Sequence, residues 1–207
     1  MINVLIVEDS KISSTAFLHE LAETGTYHVV AAIENAANAE IICMRNPVDL
    51  ILMDVCTADD ESGLAAAERI RKHNPDIKIL IMTSMPEHSF LQKAIESGCD
   101  GFWYKELETM TLTEACDSVM NGTFSWPEQV PVLQIGLAKS DEFTDRELEV
   151  IRALAQGNRY EEIGAELFMS TNTVKYHVKN ILQKTGFHST IQLVAEVVGK
   201  RLVLPKY

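Results

Sequence analysis

The sequence predicts an α/β chain, a doubly wound five-stranded parallel sheet followed by a small all-α domain of four helices. Three observations point there. Residues 2–122 alternate short continuous apolar runs with amphipathic stretches, the pattern of buried parallel strands joined by crossover helices. The last third holds no convincing strand and repeats helix start and stop signals instead. Charge divides the chain at the same place: residues 1–122 carry 20 acidic and 8 basic side chains, while 141–207 carry nine of each. The whole net charge of −12 therefore sits in the first segment.

Each element follows from its local pattern. Ile2–Val7 is the first strand and runs into Glu8 and Asp9. Phe17, Leu18 and Leu21 set the helical spacing of the next element, which ends near Gly25. Val29–Ile33 is the second strand, and Ala36–Met44 the second helix, stopped before Asn46-Pro47 because the residue before proline avoids the helical region. Leu50–Met53 ends at Asp54 and is followed by a helix over Leu64–Lys72. Ile77–Met82 ends at Thr83, with a helix over Glu87–Ser97 closed by Gly98. Gly101–Tyr104 ends at Lys105, and Thr111–Asn121 is the last helix of this half, closed by Gly122. Gly122–Asp141 contains Pro127 and Pro131, has no clear period and reads as a linker. The expected division is thus 1–122, a linker over 123–140, and 141–207.

Beyond the linker, Thr144 followed three residues later by Glu147 forms a capping box, and that helix runs to Gln156 before Gly157. Tyr160–Leu167 is short, and Met169-Ser170 turns tightly into Thr171–Thr185, halted by Gly186. A last helix spans about Thr190–Lys200. Two short helices joined by such a turn fit a helix-turn-helix. On its second helix Lys175 and Lys179 share one face with Tyr176 beside them, while Val174, Val178, Ile181 and Leu182 form the opposite apolar stripe. Such a helix fits a major groove, with lysines reaching phosphates or base edges. A generic amphipathic surface helix has the same periodicity, so charge and spacing alone leave both readings open.

The strand ends carry the chemistry. Strands of an open parallel sheet deliver their carboxyl-end residues to one edge. Here that edge would receive Glu8, Asp9 and Asp54, the hydroxyl of Thr83 and the ammonium of Lys105. Carboxylates a few ångströms apart repel by roughly 1–4 kcal/mol per pair. A hard cation such as Mg²⁺ would neutralise them. A carboxylate beside Mg²⁺ can attack a phosphoryl group, with the metal and an ammonium offsetting the charge in transfer. The bland alternative makes Glu8 and Asp9 helix caps and Lys105 a solvated charge. Four coincident strand ends argue against it.

Val7-Glu8-Asp9, Leu52-Met53-Asp54, Thr83-Ser84 and Phe102-Trp103-Tyr104-Lys105 resemble the receiver domain of two-component response regulators, over about the first 120 residues. The resemblance implies a flavodoxin-like fold and phosphorylation of Asp54 by a sensor histidine kinase. It also implies Mg²⁺ held by Asp9, Glu8, Asp54 and the Cys56 carbonyl, a switch pair of Thr83 and Phe102, and phosphate contact by Lys105. One stretch departs from the pattern. Receivers usually follow the acceptor with Met-Pro and a glycine eight residues on; here Val55–Gly63 has no proline and its glycine is one place late. The loop is expected to be longer, more acidic and looser.

Thr144–Val150, the Gly157 stop, Glu162-Ile163 and Ser170–Leu182 resemble the LuxR-type four-helix DNA-binding domain, over about residues 141–205. Receiver and LuxR-type output together are similar to the NarL/FixJ response regulators. That resemblance implies contacts to double-stranded operator DNA through Thr173, Lys175, Tyr176 and Lys179. It further implies a homodimer when phosphorylated, paired through the last helix, with RNA polymerase as a further partner. Two departures are Glu161, where such domains often carry Lys, and Gly164, where Ala is usual; glycine there is expected to cost roughly 0.5–1 kcal/mol.

Two other functions compete. A phosphatase of the haloacid dehalogenase type needs a second carboxylate two residues after its nucleophile, and that position is Cys56. A phosphorylation-independent DNA-binding regulator with an atypical receiver is the main alternative, and the chain is not expected to be an enzyme. The four cysteines show no metal-binding or disulfide spacing. No apolar run approaches the ~18 residues of a membrane span, and the expected location is the cytoplasm.

Overall fold

The computed structural model describes residues 1–85, 88–105, 110–128, 131–200 and 202–203. The chain divides into two compact units, Met1–Gln129 and Val130–Tyr207.

In the first unit β1 (Ile2–Val7), β2 (Tyr27–Ile33), β3 (Leu50–Asp54), β4 (Lys78–Thr83) and β5 (Gly101–Tyr104) form one parallel sheet. Its strand order is β2-β1-β3-β4-β5. The order reverses between β1 and β3, so the crevice beyond their carboxyl ends is where such sheets place a ligand. Helices α1 (Lys11–Thr24), α2 (Ala39–Arg45), α3 (Gly63–His73), α4 (His88–Glu96) and α5 (Leu112–Met120) are the crossovers. One core joins Val4, Ile6, Leu50, Leu52, Leu80 and Met82 to Phe17 and Leu21 of α1 and to Leu112, Ala115 and Val119 of α5. Alternation along the strands sends Leu5, Ile51, Ile79 and Phe102 to the other face, where α3 packs on β3 and β4 and α4 packs on β5.

Local differences from the expected elements have local causes. β2 starts two residues early because Tyr27 is buried and its hydroxyl donates to Asp117 of α5. The second helix is preceded by a separate 3₁₀ turn, Ala36–Asn38, since the Asn35 side chain accepts the Ala37 N–H and caps there. The expected start of the fourth helix at Glu87 lies outside the described residues. No cysteine forms a disulfide; Cys99 and Cys116 are buried, Cys43 and Cys56 half-buried.

The second unit holds α6 (Asp145–Ala155), α7 (Tyr160–Glu166), α8 (Thr171–Thr185) and α9 (Thr190–Gly199). The capping box is present: Glu147 N–H donates to Thr144 Oγ1 at 3.2 Å, and Thr144 N–H to Glu147 Oε2 at 2.9 Å. The structure adds a two-stranded antiparallel hairpin, β6 (Gln134–Ile135) and β7 (Ala138–Lys139), within the segment read as a linker. Ile135 and Ala138 are fully buried in the helical core, and Leu137 N–H donates to Thr185 O at 2.9 Å. The strands are too short for a period-2 pattern to register, so the sequence showed only Pro127, Pro131 and no clear period.

Candidate functional site

The carboxyl edge of the sheet gathers the predicted residues. β1 and β3 are paired from Val4↔Leu50 to Val7↔Met53, so Glu8, Asp9 and Asp54 emerge side by side. Their carboxylate oxygens lie within 4.8 Å of one another, with Glu8 and Asp54 buried and Asp9 exposed. β4 pairs with β5 to Thr83↔Tyr104, which brings Lys105 to the same edge. Lys105 Nζ stands 2.5 Å from Glu8 Oε2 and 2.9 Å from Asp54 Oδ2.

Electrostatics match this geometry. Burial pushes the Asp54 carboxyl up to about 7; Lys105 opposes that shift, and Glu8 and Asp9 add to it. Burial alone would depress the Lys105 ammonium, but Asp54 and Glu8 outweigh it and hold it above its ordinary value. The donor set fits a hard dication: three carboxylates converge on one spot, one lysine cannot balance their charge, and the exposed side of Asp9 leaves room for water ligands. Among the described residues, Glu8, Asp9 and Asp54 are the group with this metal-binding geometry.

Thr83 is buried, its Oγ1 accepting from Met85 N–H at 3.0 Å. Phe102, the other half of the expected switch pair, is 1% exposed and packs edge-on against Tyr104, ring centres 5.0 Å apart. Nothing in the sequence assigns a role to Tyr104, whose buried hydroxyl has no hydrogen-bond partner among the described residues.

The loop after Asp54 is not loose, contrary to expectation. Cys56 forms a β-bridge with Ser62, and Thr57 N–H donates to Glu61 O at 3.1 Å. The Thr57 hydroxyl donates to Glu61 O at 2.8 Å and accepts from Ala36 N–H at 3.0 Å, while Ala58 N–H donates to Glu34 O at 2.9 Å. The extra residue is absorbed by a 3₁₀ turn, Ala58–Asp60, in which Asp59 takes a left-handed φ of 59° and its carboxylate accepts from Asn35 Nδ2 at 2.9 Å. Gly63 then crosses the end of β3 so closely that a Cβ would lie 1.8 Å from the Asp54 carbonyl oxygen. Thr57 is the brace that sequence reasoning missed; an isolated Thr in an acidic loop carries no signal for it.

In the second unit, α8 buries Val174, Val178 and Ile181 and exposes Thr173, Lys175, Tyr176 and Lys179. The Thr173 hydroxyl is 2.8 Å from that of Ser170, the N-cap of the helix, so it is engaged locally. Tyr176 is 63% exposed. Gly164 is not merely a weak helix former, as its sequence suggested. It packs under the following turn, where a Cβ would come within 2.8 Å of Met169 O.

Comparison with known proteins agrees with both halves. The model of the response regulator receiver domain matches residues 4–117, and that of bacterial regulatory proteins of the luxR family matches 141–197. The response regulator VraR of Staphylococcus aureus is 30% identical over 209 residues, covering 98% of this chain and 99% of its own. A nitrate/nitrite response regulator homologue from Haemophilus influenzae is 27% identical, covering 92% and 93%. Among solved structures, the RcsB response regulator of Salmonella typhimurium shares the fold with a TM-score of 0.58 at 21% identity, covering 94% of this chain and 98% of that one. An RcsB–DNA complex aligns with a TM-score of 0.57, also at 21% identity, over 95% and 97%. With a receiver domain, a luxR-family regulatory domain and full-length relatives of the same build, this chain belongs to the NarL/FixJ family of response regulators.

Proposed function

We propose that a sensor histidine kinase phosphorylates Asp54 and that this controls dimerisation and binding to double-stranded operator DNA, so that the chain regulates transcription without being an enzyme. The observation that carries the reading is the position of Asp54: buried at the end of β3, with Glu8 and Asp9 within 4.8 Å and Lys105 at 2.9 Å. Glu8, Asp9, Asp54 and the Cys56 carbonyl would hold Mg²⁺, which would offset charge on the phosphoryl oxygens. Lys105 supplies a cation to those oxygens and Thr83 a hydroxyl, once it gives up Met85 N–H. Thr83 and Phe102 form the switch pair that carries the change to β5. Residues 1–122 serve as receiver and 141–207 as output, and of the expected connection 123–140 the hairpin of 134–139 goes with the output core. Thr173, Lys175, Tyr176 and Lys179 contact DNA, and α9 pairs protomers. RNA polymerase is a further partner, and the cytoplasm the place of action; no described helix is long and apolar enough to cross a membrane.

Labelling with acetyl phosphate tests the site. Wild type is expected to incorporate phosphate with Mg²⁺ and to lose it in EDTA, and Asp54→Asn to incorporate none. Equal labelling in EDTA, or of the Asn variant, refutes the assignment. A second reading, DNA binding independent of phosphorylation, draws support from the departure of Val55–Gly63 from the receiver pattern. It predicts equal DNA affinity for wild type and Asp54→Asn with and without acetyl phosphate.

A further inference from the structure

The turn between α7 and α8 carries Phe168, the most exposed large apolar side chain among the described residues, at 96%. Its backbone is left-handed, φ 53°, a region that glycine and asparagine adopt with far less strain than a bulky aromatic. The fold gains nothing from the ring. Leu167 and Met169, on either side, pack against the helical core, and Phe168 does not. Met169 N–H closes the turn on Gly164 O at 2.9 Å, and the missing Cβ of Gly164 lets the backbone come that near. Backbone and flanking side chains therefore fix the turn and hold the Phe168 ring out in water.

Its surroundings narrow the partner. Phe168 lies two residues before Ser170, the N-cap of α8, and the exposed Asn172, Thr173, Lys175 and Tyr176 follow it. On the other side, α7 exposes Glu161, Glu162 and Glu166, so no cation of that helix faces an approaching phosphate. An apolar contact is the grip that the Phe168 ring itself adds beside the polar groups of α8. Strain and exposure together at one residue point to use outside the folded chain.

We propose that Phe168 contacts DNA, seating its ring against the deoxyribose of the strand flanking the groove that α8 enters. The proposal rests on α8 being the recognition helix. Deoxyribose is apolar and identical in every nucleotide, so the contact adds affinity without reading sequence and releases no counterion.

The test is a salt titration of the full chain by fluorescence anisotropy on two short duplexes, one selected from a random pool on the wild-type chain and one unrelated. Phe168→Ala should weaken binding to both by a similar factor, roughly tenfold for loss of a largely buried ring, with the salt slope unchanged. Phe168→Gly should show the same loss while keeping or raising the melting temperature, because glycine relieves the left-handed strain. A loss confined to the selected duplex, a changed slope, unaltered affinity, or a lower melting temperature for the Gly variant overturns the proposal. Lys175→Ala, run alongside, separates the two assignments. A flattened slope there with silent Phe168 variants removes only Phe168, whereas unchanged affinity and slope for Lys175→Ala removes the recognition helix itself.

Discussion

At the scale of single residues, the acidic edge rests on ionisation. In the protein alone the Asp54 carboxyl is raised to about 7, chiefly by burial. A raised carboxyl pKa means that the folded state prefers the protonated form, so this group's contribution to stability is full below its unfolded value and is lost as pH rises through 7. A metal ion has to displace that proton. Mg²⁺ affinity should therefore fall when pH drops from about 8 to about 6, as measured by calorimetry, and Asp54→Asn should flatten the profile. The hydroxyl of Tyr104, unpaired among the described residues, makes a second expectation. The side chain is 5% exposed, and burial pushes its phenol up to about 12. Removing a buried unsatisfied polar group typically gains about 1–3 kcal/mol, so Tyr104→Phe should stabilise the receiver in urea unfolding. A destabilised variant would show that the hydroxyl has a partner. The acidic trio, Thr83 and Lys105 were legible in the sequence because each ends an apolar run. Tyr104 and Thr57 were not, since their roles come from cross-strand and loop neighbours that no local pattern encodes.

Among the elements, the helices and strands of both units were legible wherever amphipathic period and caps agreed. The Thr144 and Glu147 box of α6 is one such place, and Glu147 also receives Lys184 Nζ at 2.7 Å. Although burial pulls the other way, the bonds from Lys184 and Thr144 hold the Glu147 carboxyl below its ordinary range. Thr144→Ala should destabilise the output unit by about 1 kcal/mol, read from its thermal unfolding. The hairpin was illegible for the converse reason: two residues per strand give no period, and its stability comes from burial of Ile135 and Ala138 against helices far along the chain. Ile135→Ala should cost about 2–5 kcal/mol in the same measurement, the range for an aliphatic side chain deleted from a packed core. A loss well under 1 kcal/mol would make the hairpin a tether after all.

For the whole molecule, charge is the property that the sequence states most directly. Its net −12 lies entirely in residues 1–122, and six of the basic side chains follow Phe168 against a single acidic one, Glu196. A like-charged receiver tethered to a DNA-binding unit raises the local negative potential that DNA meets. Residues 130–207, the compact unit that keeps the hairpin, should therefore bind DNA more tightly than the unphosphorylated full chain, with the gap closing as salt rises. Equal affinities across the salt series would remove this restraint. A fragment starting at 138 would test something else, because it discards Ile135 and with it part of the core.

Where the chain passes back over β3 is decided by Gly63, not by the number of residues before it. The left-handed Asp59 and the Thr57 cross-links take up the surplus within 57–61, upstream of that crossing. Loop length and the position of Asp54 are thereby uncoupled. Inserting or deleting one residue within 57–61 should therefore leave Asp54 where β3 puts it, while changing the cover over its carboxylate.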